Sequence, residues 1–249
     1  TVTVEPGPLD HVHLSADSAT LAVGQSLRLS AIAEDVYGNV IPDARFIWRA
    51  SAGDVADGGQ FTAGTKAGVY EQGVWVEATS GQMTTKAAAR VTVQPGPLDH
   101  VRSSSVSATL NIGESLKLSA VAEDAHGNPI PSSQLSYQAS EEVGSITSDG
   151  LLCAGAKAGI FPEGAKITAQ VGGSTVVASI SVTVKPDPLD AVSITPIKTA
   201  AGDSQQISAI ATDSHGNVLK DVQLTWTVLD VNAGAITPSG QLTAGEVAR

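Results

Sequence analysis

Asp10, Asp35 and Asn39 are the side chains of this chain best suited to hold a ligand, and the same types recur in the same order as Asp99, Asp124 and Asn128, then as Asp190, Asp213 and Asn217. Grouped oxygen donors suit Ca²⁺, which takes about 6–8 oxygen ligands. Each group has only two carboxylates, and no complete calcium-loop pattern accompanies them. The same residues also serve plain turns, because Asp and Asn bond their own backbone and Gly-Asn tolerates positive φ. Calcium clamps and turn chemistry are therefore both open at the sequence level. Calcium is the one cofactor candidate, and no other is implied.

The remaining chemistry-bearing residues are isolated. Trp75 alternates with Val74 and Val76, so it is expected to face outward, where an indole is a good binding anchor. The second-repeat equivalent is Lys166. Trp48, Tyr137 and Trp226 share one position and alternate inward with small apolar residues, which reads as a core aromatic and not a sugar platform. His11 and His13 have the spacing of a metal pair. His100 is the repeat image of His11, about 30–40 Å away if a module is as long as its strands, so it is no third ligand. Both histidines are read as surface side chains of the first strand. Cys153 stands where the other repeats carry Thr62 and Thr243 and reads as a tolerated small side chain. A lone cysteine allows no intrachain disulfide. There is no Gly-x-Ser-x-Gly, no His-Glu-x-x-His and no phosphate loop, so no enzyme is expected.

These residues are carried by a repeat. Pro6-Gly7-Pro8-Leu9-Asp10-His11-Val12 returns as Pro95-Gly96-Pro97-Leu98-Asp99-His100-Val101 and, altered, as Pro186-Asp187-Pro188-Leu189-Asp190-Ala191-Val192. The step is about 90 residues. Glu34-Asp35-Val36-Tyr37-Gly38-Asn39 follows the same step, as does Gln60-Phe61-Thr62-Ala63-Gly64. The expected organisation has a first unit at 5–94, a second at 95–185 and a third at 186–249. Residues 1–4 read as the last strand of a preceding unit. The third unit lacks counterparts of the last two strands. Within a unit, apolar residues alternate with period two. Ser26 to Ala33 places Leu27, Leu29, Ala31 and Ala33 on one face, and Val74, Val76 and Ala78 form a later one. Gly, Pro, Asn and Asp punctuate the runs, giving an all-β sandwich of about seven strands per unit. In that order the first strand starts at the pole to which the second-to-third-strand connection returns, so Asp10 is expected near the Asp35–Asn39 turn.

The opening Leu-Asp-x-Val, the Glu-Asp-x-x-Gly-Asn turn, the third-strand aromatic and the Gly-x-Ile-x-x-x-Gly-x-Leu-x-Ala-Gly hairpin (Gly144 to Gly155, Gly234 to Gly245) resemble bacterial immunoglobulin-like (Big-type) repeats of surface proteins. The resemblance implies tandem immunoglobulin-like sandwiches in an elongated rod, with an extracellular, cell-surface setting. It implies a structural spacer that presents other domains or assembles into a surface layer or filament. The alternative is an adhesin module binding polysaccharide or a protein partner, with Trp75 as its contact. The expected partners are neighbouring units of the same chain, then surface polysaccharide or another surface protein. Composition agrees: 14 Lys+Arg against 25 Asp+Glu give a net charge of −11, which argues against a nucleic-acid binder, since that needs clustered cations. No apolar run approaches a membrane span.

Overall fold

The computed structural model describes residues 2–246, and among them there is no α-helix, only a 3-10 turn at Val231–Ala233. The first strands are β1 (His11–Leu14), β2 (Ser18–Ala22), β3 (Ser26–Arg28), β4 (Ala31–Glu34), β5 (Arg45–Ala50), β6 (Gly53–Val55), β7 (Gln60–Ala63), β8 (Gly68–Ser80) and β9 (Met83–Gln94). One layer has the order β2-β9-β8-β5, with β2 parallel to β9 and the other pairs antiparallel. The facing layer consists of β3-β7-β6 and the pair β1-β4. Alternation makes the layers stick. Val74, Val76 and Ala78 of β8 are fully buried, while Trp75 and Glu77 between them are half-buried on the outer face.

The expected run Ser26 to Ala33 is not one strand. It breaks after Arg28, and β3 pairs with β7 while β4 pairs with β1. Leu29, at the break, drops into the core and sends its N–H to the Gly59 carbonyl at 2.8 Å. The opening strand divides at the same level, where Ser15 and Ser30 bond each other. Each divided strand contributes two segments, which is why nine short strands stand where about seven were expected.

Two clusters of buried residues fill the first series. Phe61, Leu29, Val74, Val91 and Val93 anchor one, and Val12, Ala33, Ile41, Val76 and Ala78 the other. Trp48 packs partly buried against both, as its inward alternation predicts. Burying a side chain such as Phe61 contributes about 1.5–3 kcal/mol. Gly59 makes the close approach beneath Trp48 possible. Its φ is +75°, and a Cβ there would lie 2.2 Å from the Leu29 oxygen. Gly150 beneath Tyr137 and Gly240 beneath Trp226 hold the same position.

The strand series recurs. The next members are β10 (Leu98–Ser103), β11 (Ser107–Asn111), β12 (Ser115–Lys117), β13 (Ala120–Asp124), β14 (Gln134–Ala139), β15 (Gly144–Ile146), β16 (Leu151–Ala154), β17 (Gly159–Val171) and β18 (Ser174–Lys185). Strand β11 runs parallel to β18, as β2 does to β9, and β12-β16-β15 repeats β3-β7-β6. A third, shorter series follows: β19 (Ala191–Ile194), β20 (Ser204–Gln206), β21 (Ala209–Thr212), β22 (Gly234–Ile236) and β23 (Gln241–Ala244). Here the Leu224–Val228 run, aligned with β5, forms no strand. Strand β5 is held by β8, and the third series has no strand matching β8 among the described residues. Residues 2–4 are likewise in no strand, and Thr1 lies outside the described residues.

By its internal contacts the chain forms two compact units. One comprises Thr1–Arg102, Ala120–Leu135 and Thr168–Val177, and the other Ser103–Ser119, Ser136–Ile167 and Ala178–Arg249.

Candidate functional site: carboxylate–amide latches

Strand β4 ends at Glu34, and the chain turns through Asp35–Asn39 before bridging back at Val40. Gly38, at φ +80°, closes the turn, and the Asp35 N–H bonds the Asn39 carbonyl at 3.0 Å. The Asp35 side chain is buried inside this turn. Its Oδ1 accepts the N–H groups of Tyr37 and Asn39, each at 2.9 Å. Its Oδ2 accepts the Gly7 N–H at 2.7 Å and Asn39 Nδ2 at 2.9 Å. One carboxylate thus ties the turn to the Pro-Gly-Pro segment that precedes β1.

Asp124 repeats this with the N–H groups of His126, Asn128 and Gly96 at 2.9, 2.9 and 2.7 Å. Asp213 repeats it with His215, Asn217 and Asp187 at 2.9, 2.8 and 3.0 Å. The Asn39 amide and then the backbone donors hold the Asp35 carboxyl far below the usual carboxylate range. Burial pushes Asp124 and Asp213 up, but the Asn128 or Asn217 amide and the backbone donors outweigh it and leave both carboxyls at about 2.

The asparagine extends the latch. Asn128 Nδ2 donates to Asp124 Oδ2 and to the Thr65 carbonyl, both at 2.8 Å, while its Oδ1 accepts the Ala67 N–H at 2.8 Å. It therefore pairs, like a strand edge, with the backbone of the loop between β7 and β8. Asn217 does the same to the loop between β16 and β17, through the Ala156 carbonyl and the Ala158 N–H at 2.8 Å each. Asn128 is buried, and Asn39, whose amide stays on Asp35, is exposed.

Of the residues the sequence groups together, the structure joins Asp35 with Asn39, Asp124 with Asn128 and Asp213 with Asn217. The backbone of Asp10 lies where expected, its N–H on the Glu34 carbonyl at 3.0 Å, but its exposed carboxylate turns to His11 Nδ1 at 3.0 Å. Asp99 turns to His100 in the same way, and Asp190 is exposed with its N–H on Thr212. These groups do not fit a calcium cage. The lone pairs of Asp35, Asp124 and Asp213 already face N–H donors, the asparagine oxygens of Asn128 and Asn217 face backbone N–H, and the second carboxylate of each group, Asp10, Asp99 or Asp190, is elsewhere. Trp75 lies half-buried on the outer face of β8, opposite Arg49 and Ala88, and Lys166 in its place pairs with Glu163 at 2.8 Å. What sequence reasoning misses is the other half of the latch, since backbone groups carry no side-chain signature. The available signal is the recurrence of Ala63-Gly64-Thr65-Lys66-Ala67-Gly68 as Ala154-Gly155-Ala156-Lys157-Ala158-Gly159.

No family model matches the chain, and no curated protein matches it. Solved structures do. The Escherichia coli adhesin FdeC is 21% identical over 98% of this chain and 92% of its own, with a TM-score of 0.45. Domains 4–9 of the surface-layer protein SbsC are 18% identical over 93% of this chain and 41% of theirs, with a TM-score of 0.34. The protocadherin γB4 extracellular domain is 14% identical over 96% of this chain and 44% of its own, with a TM-score of 0.46.

Proposed function

We propose that the chain is a non-catalytic structural segment of an extracellular bacterial surface protein. In this reading it is a series of immunoglobulin-like units (5–94, 95–185 and 186–249) that forms a semi-rigid spacer. It presents other domains or assembles into a surface layer or filament. The observation that carries the reading is the asparagine latch, made twice with the same atoms. Asn128 and Asn217 each grip the loop of the strand series before their own, through two 2.8 Å bonds to its backbone. A side chain committed in this way is a joint and not a site open to substrate. Proline on both sides of Gly96 stiffens the linker beside it. The cell-surface setting comes from the resemblance of the repeat motifs.

The reading is tested by small-angle X-ray scattering of the chain, with calcium and with excess chelator, alongside Asn128→Ala/Asn217→Ala. The expected result is a maximum dimension that chelation leaves unchanged and a scattering curve that becomes flexible in the double variant. Compaction on chelation in the wild type would overturn it in favour of metal-held joints. The adhesin reading rests on Trp75, an outer-face indole that the second series replaces with Lys166. Absence of surface-glycan and protein capture by the wild type removes that alternative, and capture that Trp75→Ala abolishes would favour it.

A further inference from the structure

On the outer side of the first pair of strands, β1 sets His11 directly opposite Glu34 of β4, with His13 two residues along on the same face. The Nε2 atoms of both histidines approach one carboxylate oxygen, Glu34 Oε2, at 3.1 Å for His11 and 3.6 Å for His13. The two rings stand edge to face with centroids 4.7 Å apart. The ligand atoms of the three residues lie within 4.8 Å of one another. Four ligands placed tetrahedrally at zinc's bond lengths are separated by about 3.3 Å, so the two observed separations bracket that spacing. His11 Nδ1 is held by Asp10 Oδ2 at 3.0 Å. This carboxylate on the far ring nitrogen is the outer-shell contact that orients a ligating imidazole and leaves Nε2 for the ion.

The second strand series supplies the comparison. His100, Asp99 and Glu123 repeat His11, Asp10 and Glu34, with His100 Nδ1 on Asp99 at 3.0 Å and His100 Nε2 3.3 Å from Glu123. Arg102 stands in place of His13, and its guanidinium lies 2.7 Å from Glu123. The carboxylate at this position is thus neutralised by a side-chain cation in the second series. In the first series it faces two imidazole nitrogens, and no lysine or arginine pairs with it among the described residues. The third series has Ala191, Ser193 and Thr212 at these positions and no ligand set.

We propose that His11, His13 and Glu34 form a site for a divalent transition-metal ion, zinc being the ion that two imidazoles and a carboxylate suit, with Asp10 as the positioning residue and a fourth position open to water. The ion would cross-link β1 to β4 immediately before the Asp35 latch.

The test is isothermal titration of the intact 249-residue chain with zinc chloride in a non-chelating buffer, read as stoichiometry and affinity. The wild type is expected to bind one ion. His13→Arg reproduces the pairing the second series already makes, so it folds, and it should bind none. Arg102→His completes the ligand set on Glu123 and should raise the stoichiometry to two. Asp10→Asn should keep the stoichiometry and weaken binding by about tenfold. No binding by the wild type, an ion retained by His13→Arg, or a stoichiometry unchanged in Arg102→His would each overturn the assignment. The outcome is independent of whether the chain is a spacer, since latch and metal site share no ligand atom.

Discussion

A buried carboxylate that accepts several N–H groups is stable only while ionised, and Asp35, Asp124 and Asp213 are all in that position. Their folded-state pKa values lie below the ordinary Asp value, Asp124 and Asp213 at about 2. A depressed carboxyl contributes stability above its unfolded pKa of about 3.9, and that stability is lost as pH falls through the folded value. Thermal melts should therefore be flat in this respect down to about pH 4 and then fall steeply towards about pH 2. If Asp124→Asn and Asp213→Asn leave that acid limb unchanged, the latches do not carry it. Truncating the amide is a separate matter. Asn128→Ala leaves a backbone N–H and a carbonyl in the β7–β8 loop without partners, and urea unfolding should register a loss of about 1–3 kcal/mol. Asn39→Ala, at an exposed amide that grips no preceding loop, should lose less.

At the scale of the strand, the break after Arg28 is held against a position that admits no side chain, Gly59. Gly24 and Gly59 share a φ near +75°, but a Cβ on Gly24 would meet nothing within 4 Å, whereas on Gly59 it would strike the Leu29 oxygen. Gly24→Ala should lose only the conformational preference, roughly 1–2 kcal/mol. Gly59→Ala should lose clearly more, because β3, β7 and Trp48 must part to admit it, and paired denaturation curves measure the difference. The alternating faces were legible in sequence: Val74, Val76 and Ala78 are buried as period two requires. The division of Ser26 to Ala33 was not, because the alternation continues through Leu29 while the hydrogen-bond partner changes from β7 to β1. Pairing across strands is invisible in a linear pattern for the same reason. His11-x-His13 was readable, but Glu34 joins it only through the β1–β4 register. The latch was half legible, with Asp35 and Asn39 evident as a turn and the backbone that Asn128 grips not evident at all.

At the scale of the whole chain, the question is how far one series depends on the next. The clusters built on Phe61 and on Val76 use residues from Leu9 to Val93 alone, so the first core is closed within its own series. It is tied onward by the Asn128 bonds to the β7–β8 loop and by the close approach of Gly96, where a Cβ would sit 3.1 Å from Val23. In arrays of this kind stability is a sum of unit terms and nearest-neighbour terms. Phe61→Ala should cost the first series about 3–5 kcal/mol, as for other buried aromatics cut to alanine. The loss should appear in calorimetry as one component moving to lower temperature while another stays near its wild-type position. Adding Asn128→Ala should separate the components further, because the latch is the neighbour term. A single transition that shifts as a whole in Phe61→Ala, with or without the latch, would mean that the coupling between series is strong enough to make the chain unfold as one body.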